Sequence, residues 1–289
     1  MKFKGLSPNT FHKITRFALW SLVAIVVTGG AVRLTGSGLG CSDWPNCEPG
    51  QLVPKADIHG WVEFGNRLIT GLVSLAVIFA VSGSLLRCPR EKSLTSWSLG
   101  LVVGVIIQIV LGAITVATHL SPPIVMAHFL VSMVLIWNAV VLEAKASNTR
   151  NTEKITLPYT KIHCWLIGTT TAIVVFTGTI VTASGPHGGD ENVNRLNFDL
   201  PDVARIHGIS VFLLVFFLVG LNIRLKGTQQ KTLYHSTKTM LIVVASQAAI
   251  GYVQYFNQLP PFLVACHIAG ATAVWISSVR LVLKSITAN

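Results

Sequence analysis

Charged residues are scarce in this chain: only 11% of its 289 residues are Asp, Glu, Lys or Arg, while 51% are hydrophobic. A soluble domain carries roughly a quarter charged residues, so a water-soluble globular protein is excluded. Acidic residues are the scarcest class, with 11 Asp and Glu against 22 Lys and Arg. The charges gather near the ends of long apolar runs.

Eight such runs are present, and each approaches the ~20 residues that a helix needs to cross a membrane. Because lipid cannot satisfy an open backbone, the runs are predicted to be helices. The first run has no cleavage site and is followed by further spans, which indicates an anchor and not a removed signal peptide. The predicted spans are 17–36, 61–86, 96–118, 124–143, 162–184, 203–223, 239–257 and 261–283.

The formal net charge of +11 is distributed unevenly between the two sides of the predicted membrane. One side comprises the N-terminus, the loops after the even-numbered spans and the C-terminus. It holds 17 of the 22 basic residues and 3 of the 11 acidic ones. This asymmetry predicts that both termini are cytoplasmic. It also argues against a nucleic-acid-binding surface, which would need a local basic patch.

The chain repeats itself. Gln108, Gly112 and His128 recur 139 positions later as Gln247, Gly251 and His267, and TGGAVRLTGSG at 28–38 is matched more faintly by TGTIVTASGPH at 177–187. We therefore predict an all-α membrane protein built from two tandem, parallel four-helix bundles. The bundles are predicted at 1–145 and 160–289, with a cytoplasmic linker at 146–159. Small residues are expected to let helices approach closely: Gly71, Ser74, Gly104, Gly112, Gly251 and Gly270.

Three histidines, His128, His207 and His267, fall within spans near their outer ends. Ionisable groups within a bilayer usually mark a functional site. The alternative is a structural imidazole that forms a hydrogen bond between helices. His207 on the sixth span and His267 on the eighth can face each other across the second bundle. Such a pair suits ligation of a haem iron from both sides.

The first half differs, because EFGNR at 63–67 has Asn66 where ARIHG in the second half has His207. An amide is a poor iron ligand, so a haem here would have His128 as its one protein ligand. Glu63 shares a helical face with Asn66 and is a candidate reactive group; alternatively, it pairs with Arg67 at i+4. In the first outer loop, the spacing of Cys41 and Cys47 permits a disulfide, and a metal pair is the weaker alternative.

These features together resemble the haem A synthase family over nearly the whole chain. The most specific are TGGAVRLTGSGLGCSDWPNC at 28–47, EFGNRLITG at 63–71, SGPHGGD at 184–190 and the two PP…H segments. The resemblance implies an oxidoreductase that hydroxylates the C8 methyl group of haem O twice, leaving a formyl group after loss of water. The product, haem A, serves cytochrome oxidase assembly.

The resemblance also implies roles for individual residues. His207 and His267 would ligate a haem B cofactor, His128 would bind the substrate haem beside Asn66, and Glu63 would be catalytic. Cys41 and Cys47 would form a disulfide. Arg33, Arg67 and Arg205 are candidate propionate contacts, since guanidinium groups bind carboxylates well; alternatively, they lie at the level of the lipid headgroups.

The chain departs from the family at Asn66, where many members have histidine, and in the outer loop between the fifth and sixth spans, which lacks the second cysteine pair that some members have. The expected location is a prokaryotic-type cell membrane, with the haem sites toward the outer face. The expected partners are haem O, haem O synthase, cytochrome oxidase assembly and lipid, and a homo-oligomer is allowed. Two alternatives stay open: a b-type cytochrome that only transfers electrons, and a haem carrier without chemistry.

Overall fold

The computed structural model of the protein describes residues 5–147 and 155–287. These residues form eight α-helices, all long and apolar enough to cross a membrane, so the predicted all-helical integral membrane protein is confirmed. In chain order the helices are α1 Pro8–Leu34, α2 Ile58–Leu86, α3 Lys92–Ala117, α4 Pro122–Ala146, α5 Thr160–Ser184, α6 Leu200–Leu225, α7 Lys231–Phe256 and α8 Pro261–Thr287.

Most helices begin several residues before the predicted apolar runs, because polar cap and first-turn residues extend them. Ser7 caps α1 by accepting a hydrogen bond from the Thr10 backbone N–H, and Asp57 caps α2 in the same way from Gly60. α4 begins at Pro122, where the missing N–H of proline costs nothing. The three histidines expected one turn from the span ends lie nearly two turns inside their helices.

The chain divides into two compact units. The described part of unit 1 comprises residues 5–147, which contain α1–α4, and residues 185–197, the connection between α5 and α6. Unit 2 contains α5–α8. The predicted linker at 146–159 stays a prediction, since residues 148–154 lie outside the described residues, and so does the assignment of the halves as tandem copies.

Within each unit the helices form a four-membered ring. In unit 1 α1 packs against α2 and α4, and α3 packs against the same two helices; in unit 2 α5 and α7 each pack against α6 and α8. Thus α2 and α4 occupy opposite corners, as do α6 and α8. A side chain on α6 can therefore meet one on α8 only by projecting into the interior of the ring.

The two faces of α6 show how the sequence orients a helix in lipid. Leu214, Leu218 and Leu221 are fully buried in the core of unit 2, whereas Phe212 and Phe216 are exposed on the opposite side. The buried set recurs with helical spacing. Because lipid is as apolar as the core, packing quality and not burial from water selects the inward face.

Small residues permit close packing at four of the predicted glycines. A Cβ at Gly104 or Gly270 would overlap the Leu135 or Gln247 side chain, and Gly112 and Gly251 lie against histidine rings. The expectation is wrong for Gly71, where an added Cβ would meet no atom within 4 Å.

Replacing Leu218 by Ala should lower the free energy of unfolding of unit 2 by about 2 kcal/mol, because the vacated space loses its packing contacts. Denaturant-induced unfolding in detergent micelles measures the change. The matched control is Phe216→Ala, two residues away, where the side chain is 70% exposed. This change should alter the free energy of unfolding by at most about 0.5 kcal/mol. Equal losses in the two variants would contradict the inward orientation of Leu218.

Candidate functional site

His207 and His267 meet inside unit 2. Their ring centres lie 6.5 Å apart, and the ring planes are nearly perpendicular at 80°. Metal–imidazole bonds are about 2 Å long, so two rings on opposite sides of one metal have centres about 6 Å apart. The observed spacing therefore fits a shared iron. A porphyrin brings its own four nitrogen ligands, so two histidines complete the coordination.

The helix preceding each histidine provides a glycine against which the ring lies. A Cβ added to Gly178 on α5 would stand 3.2 Å from Cε1 of His207. A Cβ added to Gly251 on α7 would stand 3.2 Å from Cε1 of His267. Both distances are shorter than an ordinary contact between carbon atoms. These glycines let both rings lie close to the neighbouring backbone.

Thr177 adds a polar contact to His207. Its Oγ1 lies 3.1 Å from Nδ1 of the ring, and the hydroxyl is nearly buried between α5 and α6. The contact occupies one ring nitrogen and leaves Nε2 as the remaining nitrogen. This is the arrangement found at metal-binding histidines, where a second group holds the ring through its other nitrogen.

Unit 1 has a related arrangement with different chemistry. Asn66 on α2 accepts a 2.8 Å hydrogen bond at Oδ1 from the Thr28 hydroxyl on α1, and a Cβ at Gly29 would stand 3.9 Å from its Nδ2. His128 on α4 faces Gly112 on α3 at 3.7 Å. Here the distances to glycine are those of ordinary packing, so both side chains lie farther from the neighbouring backbone than the two rings in unit 2 do.

His128 has a buried Nδ1 with no hydrogen-bond partner among the described residues. An unsatisfied buried nitrogen is unfavourable. A group bound beside the ring would supply the missing hydrogen-bond partner. The hydrogen bonds of the described residues join neither Asn66 nor Glu63 to His128. The structure therefore places the three predicted residues in one unit without linking them directly.

Glu63 is nearly buried and uses both carboxylate oxygens. Arg67 donates from Nη2 to Oε1 at 2.6 Å, and the Cys41 backbone N–H donates to Oε2 at 2.8 Å. The predicted i+4 pair is thus confirmed. Arg67 also donates from Nη1 to the backbone oxygens of Asp43 and Asn46, at 3.0 and 2.8 Å. The pair fastens the first outer loop to α2.

Cys41 and Cys47 are joined by a disulfide, and both are fully buried. This pairing was predicted and is confirmed. Gly40 permits the loop to pack so closely, since a Cβ there would overlap the backbone of His59. Among the described residues Cys88, Cys164 and Cys266 are free thiols, also as predicted.

The three candidate arginines have different surroundings. Arg33, partly buried at the end of α1, donates from Nε to the His187 backbone oxygen at 2.7 Å. Arg67 is engaged with the disulfide loop. Arg205 has a side chain that is 71% exposed and lies 3.0 Å from Asp202. Arg33 alone combines partial burial with a position outside the loop that Arg67 holds.

Arg195 was missed by the sequence analysis. It lies in the connection at 185–197 and donates from Nη2 to the Pro186 backbone oxygen, the carbonyl before the one that Arg33 contacts. Two guanidinium groups therefore bind consecutive carbonyls beside the C-terminal end of α1. The signal available in the sequence was only one basic residue in an otherwise acidic connection, on a side with five basic and eight acidic residues, which was too weak to assign its place.

The structure predicts that Arg67 protects the disulfide. Replacing Arg67 by Ala removes a buried charged hydrogen bond worth about 1.5–3 kcal/mol, so the loop should open more often and reduction of Cys41–Cys47 should accelerate at least about tenfold. Thiol labelling after timed exposure to a reductant measures the rate. Arg205→Ala, at the exposed arginine, is the control. Unchanged protection in Arg67→Ala would show that the loop is held by other contacts.

Known proteins resemble the chain over most of its length. Residues 13–60 and 55–186, more than half of the chain, match the sequence profile of the COX15-CtaA family, cytochrome oxidase assembly protein. The heme A synthase of Exiguobacterium sibiricum is 27% identical over 270 residues, which cover 87% of this chain and 89% of that protein. The heme A synthase of Bacillus pumilus is 27% identical over 82% of this chain and 83% of its own length.

A third relative, the heme A synthase of Listeria welshimeri, is 26% identical over 86% of this chain and 88% of its own length. The similarity therefore extends through both units. The chain belongs to the COX15-CtaA family of cytochrome oxidase assembly proteins.

Proposed function

We propose that this protein is a haem A synthase, an oxidoreductase that converts the C8 methyl group of haem O into a formyl group. The observation that carries the proposal is the pair of neighbouring rings of His207 and His267, at a spacing that fits one shared iron. The names of the relatives support the same activity. The finer chemistry, two hydroxylations followed by loss of water, rests on the family resemblance.

Unit 2 is proposed to hold a haem B cofactor through His207 and His267. A haem held from both sides supplies electron transfer, because its iron has no position left for a substrate. The protein's own contribution is to fix both rings by means of Gly178, Gly251 and Thr177. These groups would restrict the change in ligand geometry when the charge on the iron changes.

Unit 1 is proposed to hold the substrate, haem O, through His128. Asn66 occupies the corner opposite α4, and an amide does not compete with imidazole as an iron ligand. Substrate bound by His128 would keep one face accessible for reaction. Thr28 binds Oδ1 of Asn66, so the Nδ2 group, which has two protons, is available to donate a hydrogen bond toward that face.

Glu63 is the proposed catalytic residue, as a proton acceptor acting at the methyl group that is oxidised. Its carboxylate is buried one helical turn from Asn66, which supports a place near the substrate. The hydrogen bonds from Arg67 and Cys41 support a second task, the anchoring of the disulfide loop. One residue can perform both, because the two carboxylate oxygens have four lone pairs and three donors, from Arg67, Cys41 and Gly40, contact them.

Several wider assignments belong to the same proposal. Arg33 is the best placed of the three candidate arginines for a substrate propionate; Arg67 serves the loop, and Arg205 is exposed. Both termini are proposed to be cytoplasmic, in a prokaryotic-type cell membrane. The haem sites then lie toward the outer face, and haem O synthase and the oxidase assembly machinery are the proposed partners.

Coexpression with a haem O synthase, in cells lacking other haem A synthesis, should yield haem A detectable by mass spectrometry of extracted haems. His267→Ala should lose both the product and the low-spin haem spectrum, because one axial ligand is removed. His119→Ala, at an exposed histidine in the turn after α3, should retain both. A b-type cytochrome or a haem carrier would leave haem O unchanged, and that result in the unaltered protein would refute the synthase proposal.

Replacing Glu63 by Gln should separate its two proposed tasks. The amide keeps an acceptor for Arg67 or for the Cys41 N–H but loses the charge, so haem A formation should fall at least about a hundredfold, the lower range for a lost proton-transfer group. The low-spin haem spectrum and the resistance of the disulfide to reductant should persist. A disulfide that becomes as labile as in Arg67→Ala would instead show that Glu63 acts through the loop.

A further inference from the structure

The two units share a hydroxyl contact that the predicted ligand sets do not include. A Thr-Gly pair stands on α1 at 28–29 and again on α5 at 177–178. In each unit the threonine hydroxyl contacts the side chain of the residue at the same place on the next helix. That residue is Asn66 in unit 1, at 2.8 Å, and His207 in unit 2, at 3.1 Å.

The direction of the hydrogen bond at Thr177 follows from its other contacts. The Thr177 hydroxyl has one proton, and it lies 2.9 Å from the Ile173 backbone oxygen and 3.1 Å from that of Val174. Carbonyl oxygens can only accept. The contact with the Ile173 oxygen is shorter than the 3.1 Å contact with the ring, so the geometry favours a threonine proton directed to the backbone and an oxygen that accepts from the ring.

Ser210 reinforces this assignment. Its hydroxyl donates to the His207 backbone oxygen at 2.7 Å and also lies 3.1 Å from Oγ1 of Thr177. The serine proton is therefore directed to the backbone of α6. The ring of His207 is left as the donor, with its proton on Nδ1, and the Val174 backbone oxygen is a second acceptor beside Thr177. The second nitrogen, Nε2, then carries a lone pair.

We propose that Thr177 is a positioning residue that fixes the tautomer and the orientation of His207, so that Nε2 is presented to the iron. This inference rests on the proposed haem site in unit 2. A hydrogen bond from Nδ1–H to an acceptor increases the basicity of the imidazole and orients the ring. It should thereby favour the oxidised iron over the reduced one.

The contact in unit 1 supports the inference independently of any haem. Thr28 there contacts an amide, and the shorter of its two contacts, 2.8 Å to Asn66 against 3.3 Å to the Ile25 backbone oxygen, is the one to the side chain. The threonine thus donates to Oδ1 and leaves the NH2 group of Asn66 out of this hydrogen bond. In both units the threonine hydroxyl thus determines which polar atom of the contacted side chain, Asn66 or His207, is left to face the interior of the helix ring.

The test compares Thr177→Val with Thr171→Val in the full-length protein. Valine keeps the shape of threonine but removes the hydroxyl. Thr171 is a matched control, because it is a fully buried threonine on α5 whose hydroxyl donates only to the backbone oxygen of Ile167. Thr177→Val should raise the midpoint potential of the low-spin haem and weaken haem binding about 10–100-fold, the usual effect of losing such a partner. Thr171→Val should change neither.

Thr177→Ser keeps the hydroxyl and should restore both the potential and the binding. Nitrogen NMR of the haem-free protein with labelled histidine adds a readout that needs no cofactor. It should show the proton of His207 on Nδ1 in the unaltered protein and a mixture of tautomers in Thr177→Val. Thermal unfolding of the variants identifies any general loss of folding.

The outcomes separate the two proposals. Absence of low-spin haem from the unaltered protein would overturn the haem site itself. A normal haem signal with equal potentials in Thr177→Val and Thr171→Val would overturn only the role of Thr177. Failure of Thr177→Ser to recover what Thr177→Val loses would overturn it as well, because the hydroxyl would then not be the group responsible.

Discussion

The candidate sites depend on how closely a side chain of one helix can approach the backbone of the helix before it. In lipid, a polar group that finds no partner is unfavourable, so a functional imidazole or amide needs a neighbour at contact distance. A glycine on the preceding helix provides that approach at four places, with distances of 3.2 to 3.9 Å. These glycines are Gly29, Gly112, Gly178 and Gly251.

The contacts between these side chains and the glycines are closer in unit 2 than in unit 1. In unit 2 both rings are so close to glycine that a methyl group would force a displacement, and Thr177 holds one of them. In unit 1 the corresponding distances leave normal van der Waals contact. A rigid pair of rings suits a group that stays bound, and a looser environment suits one that must enter and leave. Asn66 would extend this difference under the proposed assignment, because it would present a donor where His207 would present a lone pair.

The sequence was sufficient for the helices, the disulfide, the Glu63–Arg67 pair and the free thiols, because each depends on local spacing or on the apolar pattern. It was not sufficient for the start of α7. The helix begins at Lys231, in a polar, basic segment that precedes the predicted apolar run at 239–257. The threonine contacts were also missed, although the Thr-Gly pairs had been aligned. A hydroxyl in a helix usually bonds to its own backbone, so only three-dimensional proximity reveals the additional partner.

The place of residues 185–197 has a consequence for how the chain can be divided. They follow α5 in the sequence, yet they pack within unit 1, where the Gly38 N–H donates to the Gly189 oxygen at 2.8 Å and Arg33 contacts His187. A fragment that stopped at the linker would contain four complete helices but lack part of its own outer cover. To express the two halves as separate proteins, the connection at 185–197 would therefore have to be attached to the first half.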